Sequence, residues 1–339
     1  MEILQMLETL CAAPGVSGCE TAALEAVNRC AEEAGLRFAP QGALSSLKAV
    51  INPHSDAENG VLLLAHIDKI GCMVTGIDEA TGFLRIFPAG GCDARVAPAS
   101  RVTVYGRRPL PGVIVSTPPH LVKKEDAKTA LPLEKLTVDC GLPYEEIAAL
   151  VFPGDRVQFD APVLPLAGGR IAAPYLDNCA GVAAVLLAAK ALRGKTNRRV
   201  ELVLTAQEET GRRGAVTAAF ASQCPTALAV DVTFAAAPGV KEQESAPLGS
   251  GARIGVAPIL SRAVSQGLIE AAEKNGVPYT VEVMGRSTGT DADMAGIAGC
   301  GKRTGLVSIP VRNMHTPAET VDPADIEAAA ALIWRYIAC

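Results

Sequence analysis

The sequence predicts an α/β fold, a mixed sheet flanked by helices, with a small β-barrel or sandwich inserted in it. Three observations carry this. The run Val61-Leu62-Leu63-Leu64-Ala65 has no polar alternation, which marks a strand covered on both faces. From Gly71 to about Pro165 the chain changes to short β-prone pieces separated by glycine, proline and charged turns. After that block, apolar helices and strands alternate again. Residues 1–70 and 166–339 are therefore expected to form one domain in two parts, with 71–165 as the insert.

The elements follow in order. Ile3, Leu7 and Leu10 recur at helical spacing, and Pro14-Gly15 ends that helix. Ser17-Gly18-Cys19-Glu20 reads as a capping box, with the Ser17 hydroxyl accepting from the Glu20 amide, and opens a second helix that runs to about Gly35. A strand pair is expected around Ala49–Asn52 and Val61–Ala65. The insert offers strands at Cys72–Ile77, Phe83–Phe87, Arg101–Tyr105, Gly112–Val115, Leu136–Asp139 and Asp155–Phe159, and one helix at Tyr144–Leu150. The second part offers a helix at Asp177–Leu192, strands at Val200–Thr205 and Thr226–Val230, and a helix at Leu260–Asn275. Strands at Tyr279–Met284 and Leu306–Val311 follow, and Asp322-Pro323 starts a last helix with proline at its first position.

Whole-chain properties exclude several functions. The chain has 339 residues, is 49% hydrophobic and carries a net charge of -5. That charge leaves no footprint for nucleic acid, and basic residues cluster only as pairs such as Arg107-Arg108 and Lys123-Lys124. The first residues are acidic where a signal peptide needs a basic region, and the longest apolar stretch, Gly181–Ala189, cannot span a bilayer. No membrane partner and a cytoplasmic location are expected. The 10 cysteines contain no Cys-x-x-Cys pair and read as reduced, mostly buried thiols. His54 reads as a solvated loop residue.

Five potential metal ligands sit at the ends of apolar runs: His66, Asp177, Glu209, Asp231 and His315. In an open α/β sheet, loops at the carboxyl ends of the strands converge on the ligand site. Imidazole and carboxylate suit zinc and its neighbours, and two such ions roughly 3.5–4 Å apart can hold a bridging water and polarise a carbonyl. The charges balance as well. Two divalent ions bring four positive charges, the three carboxylates remove three, and a hydroxide removes the last, so a neutral cluster can be buried. This is the ligand set of a two-metal hydrolase.

The strings Ala65-His66-Ile67-Asp68, Tyr175-Leu176-Asp177-Asn178, Gln207-Glu208-Glu209-Thr210-Gly211, Val230-Asp231 and Asn313-Met314-His315 resemble those of the glutamyl and deblocking aminopeptidases. That metallo-aminopeptidase family also contains the tetrahedral peptidases once labelled cellulase-like. Pro14–Glu20, Pro118-Pro119-His120-Leu121, Gly289-Thr290-Asp291-Ala292 and Ile309–Arg312 extend the likeness over nearly the whole chain. Cys179, Thr210 and Cys92 stand where the family usually has a basic residue, a valine and an aromatic.

The resemblance implies a zinc-peptidase-like domain split by a β-rich domain that mediates assembly. It implies that His66 and Asp231 hold one metal, that Glu209 and His315 hold the other, and that Asp177 bridges them. Asp68 would align the His66 imidazole. Glu208, beside the ligand Glu209, would stay free to take a proton from the bridging water and pass it to the leaving amine. Asp291 would contact the substrate amine, and His120 would reach the site from the insert to meet the oxyanion or a substrate terminus. The expected cofactors are two divalent ions per chain, zinc with cobalt or manganese as alternatives. The expected partners are peptide substrates and further copies of the chain, from a dimer up to a dodecamer. The reading is an aminopeptidase. A deacylase of N-acyl amino acids or small amides is the alternative that keeps the metals and changes the substrate, and an assembled metal-binding scaffold that has lost catalysis is the third reading.

Overall fold

A computed structural model describes residues 1–121 and 130–339; the Lys123-Lys124 pair lies outside the described residues. Helix α1 (Ile3–Ala12) buries Met6, Leu7 and Leu10 and stops ahead of Pro14. Next come a 3₁₀ turn at Glu20–Ala23, α2 (Leu24–Ala31), and a second turn that closes on Gly35 with φ 61°. The expected capping box does not form. Ser17 Oγ instead pairs with Thr210 Oγ1 at 2.8 Å, and Glu20 Oε1 accepts from the Gly18 and Gln207 amides at 2.7 and 3.0 Å. A cap signal in the sequence has become a tie to the site.

Strands β1 (Ala39–Gln41), β2 (Ser46–Ile51) and β3 (Val61–His66) precede the insert. The insert holds β4 (Gly71–Ile77), β5 (Leu84–Ala89), β6 (Arg101–Tyr105), β7 (Pro109–Val115), β8 (Thr137–Asp139), the short α3 (Tyr144–Ile147) and β9 (Arg156–Phe159). The chain then runs through β10 (Leu164–Pro165), β11 (Ile171–Ala173), α4 (Leu176–Leu192), β12 (Val200–Thr205), α5 (Arg213–Ala221) and β13 (Thr226–Phe234). It ends with β14 (Ala252–Val256), α6 (Arg262–Asn275), β15 (Tyr279–Val283), α7 (Asp291–Ala295), β16 (Arg303–Arg312), β17 (Glu319–Val321) and α8 (Pro323–Ala338). Asp322 caps α8 through the Ala324 amide, ahead of the proline expected there.

Eleven strands form one mixed sheet in the order β1-β2-β12-β3-β13-β16-β17-β11-β10, with β14 pairing β16 and β15 on the edge beyond it. The expected pair β2 and β3 are not neighbours, because β12 lies between them, antiparallel to β2 and parallel to β3. β3 is covered on both sides, as its unbroken apolar run requires. Val61, Leu63 and Ala65 face the main core with α4 and α8, while Leu62 and Leu64 pack with Val203, Ala218 and Ala295 under α5 and α7. α4 is buried almost all round.

The insert is a closed barrel in the order β4-β5-β8-β7-β6-β9, so the barrel alternative is the one realised, and closure leaves it no open edge. Residues 67–70 alone separate β3 from the barrel's first strand. No helix among the described residues is long and apolar enough to cross a membrane.

Candidate metal centre

Four parallel strands, β12, β3, β13 and β16, run side by side and end on the same edge. Their carboxyl ends carry His66 at the end of β3, Glu208 and Glu209 just past β12, Asp231 within β13 and His315 just past β16. Asp177 joins them from the first turn of α4. All five expected ligands and Glu208 line one cavity of about 790 Å³.

Asp177 lies between the two histidines. Its Oδ1 is 2.9 Å from His66 Nε2 and its Oδ2 is 3.2 Å from His315 Nε2. Asp231 Oδ1 stands 3.6 Å from the same His66 nitrogen, and Glu209 Oε1 stands 3.7 Å from the His315 nitrogen. Both rings use their other nitrogen as a donor. His66 Nδ1 donates to the Asp68 carbonyl at 3.1 Å, and His315 Nδ1 donates to the Gly91 carbonyl at 3.0 Å. In a neutral imidazole this turns the Nε2 lone pair toward the carboxylates, an arrangement that a cation between them would satisfy.

The electrostatics say the same. Burial pushes Glu208 up to about 9 and Glu209 up to about 8, with neighbouring carboxylates adding to the rise. Burial likewise raises Asp231. His315 is pushed up to about 10, chiefly by its hydrogen bond to Asp177. Burial opposes a charged His66, yet its contacts with Asp177, Asp231 and Asp68 raise it well above the ordinary histidine value. Asp177 is also opposed by burial, and the two imidazoles hold it below the ordinary carboxylate range. Glu209 Oε1 is buried with no hydrogen-bond partner among the described residues. Ligand atoms of His66, Asp177 and Glu209 fall within 4.8 Å of one another. An excess of buried acid, two imidazole Nε2 atoms aimed at it and an orphaned oxygen together fit divalent cations.

The other expected site residues sit as follows. Asp68 orients His66 through its backbone carbonyl, whereas its carboxylate receives the Glu208 and Glu209 amides at 2.9 and 3.1 Å. It therefore positions the two glutamates as well as the ring, a wider role than expected. Glu208 keeps one oxygen on Arg212 Nε at 3.0 Å. Asp291 departs from expectation. It is 2% exposed, is absent from the cavity wall and accepts a hydrogen bond from Thr205, because α7 starts there and turns its first side chain into the protein. Its neighbours Thr288, Gly289 and Thr290 form the wall instead. His120 also departs, being exposed in the turn at Pro119–Leu121 and outside the cavity wall. Cys179 is buried beside Cys11 and is not part of the cavity wall.

Sequence reasoning missed Glu319. This residue is 1% exposed, and its two oxygens accept from the Asp177 amide at 2.9 Å and the His315 amide at 2.7 Å. It also explains how the backbone holds its shape. His315 has φ 63° and Gln207, before the glutamate pair, has φ 57°. Each such residue costs on the order of 1–3 kcal/mol. Glu319 fastens the first and Glu20 the second through their amides. The only sequence signal was an acid four residues after His315, which resembles any loop glutamate.

A family model described as M42 glutamyl aminopeptidase matches residues 46–332. The chain is 32% identical over 329 residues to the lysyl aminopeptidase of Pyrococcus furiosus, covering 95% of this chain and 93% of that protein. An aminopeptidase from the archaeon Desulfurococcus kamchatkensis matches with a TM-score of 0.90 at 31% identity, covering 98% of this chain and 94% of the other. The TET1 peptidase of Pyrococcus horikoshii, which can assemble into a tetrahedron or a large octahedral shell, matches with a TM-score of 0.85 at 30% identity over 98% of each chain.

Proposed function

The chain belongs to the M42 glutamyl aminopeptidase family, and on that premise we propose a two-metal mechanism in which Glu208 moves the proton. It is a metal-dependent hydrolase of peptide bonds, an aminopeptidase. His66 and Asp231 would hold one divalent cation, Glu209 and His315 the other, and Asp177 both. The observation that supports this best is the division of the Asp177 carboxylate, one oxygen toward each Nε2. When bound, such cations polarise the scissile carbonyl and make the attacking water more acidic. Zinc, cobalt and manganese all suit the donor set.

The chain's own residues do the rest. Glu208 lines the cavity beside the ligands, and its oxygen not held by Arg212 accepts the water proton and returns it to the leaving amine. Asp68 fixes that glutamate through the Glu208 amide. Apolar wall residues such as Val232 and Met284 exclude water around the substrate.

The likeness to a peptidase that forms shells supports a homo-oligomer, and residues 71–165 are assigned to its contacts by the resemblance of the sequence alone. The unpaired cysteines suit a reducing compartment such as the cytoplasm. Chelation should abolish hydrolysis of aminoacyl-nitroanilides, and metal analysis of the restored enzyme should find close to two ions per chain. Full activity with a single ion would overturn the bridging role of Asp177.

A further inference from the structure

Among the described residues, the cavity wall holds one arginine and no lysine. That arginine, Arg212, is neither a candidate ligand nor the base, yet it touches the base directly. Past β12 the chain turns back on itself. The Gly211 and Arg212 amides both donate to the Glu208 carbonyl at 2.9 Å, and the Gly214 amide donates to the Ala206 carbonyl at 2.9 Å. Arg212 takes φ 56° at the close of this turn, just ahead of α5. The turn returns its side chain to the carboxylate four residues earlier, where Nε donates to Glu208 Oε1 at 3.0 Å.

The same Nε donates to the Gly289 carbonyl at 3.1 Å. Gly289 belongs to residues 287–290, which line the cavity. Asp293 fixes that segment, accepting from the Thr288 amide at 2.8 Å, the Thr288 hydroxyl at 2.6 Å and the Gly289 amide at 3.1 Å. Its Oδ2 stands 3.7 Å from Arg212 Nη1. The guanidinium is therefore held at the wall by a carbonyl and a carboxylate while it holds Glu208. A glutamate end group rotates broadly about its last torsion. A planar guanidinium with fixed donor directions removes that freedom. With Oε1 held, the direction of Oε2 is set.

We propose that Arg212 is a positioning residue for the proton transfer: by joining Glu208 to residues 287–290 it fixes the direction of the free Glu208 oxygen. This rests on Glu208 as the base and adds the residue that aims it. Two accounts compete, a substrate contact made by Arg212 and a strap that only supports the wall.

The test measures kcat, KM and metal content of the metal-loaded enzyme on an aminoacyl-nitroanilide that wild type cleaves. Arg212→Met, Arg212→Lys, Glu208→Gln and the double variant Arg212→Met with Glu208→Gln are compared. Methionine and lysine carry a Cβ as arginine does, so the backbone at φ 56° is asked for nothing new. Arg212→Met should lose roughly 10–100-fold in kcat, the worth of a hydrogen bond to a charged group, with KM and metal content unchanged. Arg212→Lys should recover part of that loss, because an ammonium can reach one acceptor but cannot hold the fork geometry. In Glu208→Gln there is no base to aim, so the double variant should be no slower than Glu208→Gln alone.

A raised KM at unchanged kcat would assign Arg212 to the substrate and overturn the proposal. A double variant slowed by the full factor of Arg212→Met would leave only the strap. Should Arg212→Met fail to fold, Arg212→Lys carries the same comparison. Full activity in Glu208→Gln overturns the base reading and this inference with it, whereas a slow Glu208→Gln beside an unaffected Arg212→Met overturns this inference alone.

Discussion

The two halves of the candidate metal centre are built differently. His66 is 2% exposed and ends a strand buried on both faces, and its partner Asp231 is 6% exposed within a neighbouring strand. His315 lies past the end of its strand at φ 63°, with its side chain 35% exposed and its ring held by the carbonyl of a glycine in the barrel. One half is fixed by the sheet and the other by loops that other residues hold in place. The buried half should therefore keep its cation longest, and the exposed half should exchange first.

That asymmetry can be attacked from several sides. The largest effect should follow Asp177→Asn, which removes charge from both halves at once. Neither site should then fill at micromolar metal, and hydrolysis should vanish; a variant retaining one tightly held ion would show that Asp177 belongs to one half alone. Glu208→Gln comes next. Its metal content should match wild type while kcat falls roughly 10²–10⁴-fold, the range for a positioned general base. Glu209→Gln should instead empty the exposed half, with activity partly restored by excess metal, and exchanged phenotypes for the two glutamates would reverse their assignment.

Glu319→Gln should weaken metal affinity by roughly 10–100-fold, as loss of supporting partners around a ligand does. Competition with a chelator should place that loss mainly in the exposed half. If both ions weaken equally, the tie to Asp177 matters more than the tie to His315. Gly91→Ala is subtler. A Cβ there would stand 2.7 Å from His315 Nδ1, so the ring must move. A several-fold faster release of one ion, measured by stopped-flow chelation, is the expected result, and release of both at equal rates would contradict the division.

The smallest effect concerns pH. Glu208, Glu209 and His315 all sit above their ordinary values. The folded chain without metal then binds more protons than the unfolded chain from about pH 5 to pH 9, so its stability falls as pH rises through that window. Cations held between Glu209 and His315 would take the place of some of those protons. Chelated protein should melt at progressively lower temperature across the window, while loaded protein changes less; parallel slopes would refute the linkage.

Much of this was legible before any coordinates. The unbroken apolar run ending at His66 announced a central strand with a histidine at its carboxyl end. The paired Glu208 and Glu209 stood where a strand terminated, and the short β-prone pieces of the insert announced the barrel strands. What stayed hidden depended on contacts between distant residues. That β12 inserts between β2 and β3 is a pairing across about 150 residues, which local pattern cannot express. The Ser17–Glu20 cap failed because tertiary partners, Thr210 and Gln207, outbid the local bonds. Asp291 was misplaced for a similar reason: a glycine-rich string gives the loop, but not which side chain of that loop faces inward. Glu319 carries no local pattern at all.

The barrel reaches the cluster twice. Residues 67–70 join β3, which ends in His66, to its first strand, and Gly91, two residues past β5, holds His315. Any ion that His315 holds would therefore be linked to the barrel, and linkage of this kind acts equally in both directions. Anything that grips the barrel more tightly in one orientation changes the affinity of the His315 half for its ion, and loading that ion changes the strength of the grip by the same factor. Free metal concentration would then act as an effector of self-association, with no site of its own beyond the one that performs the chemistry.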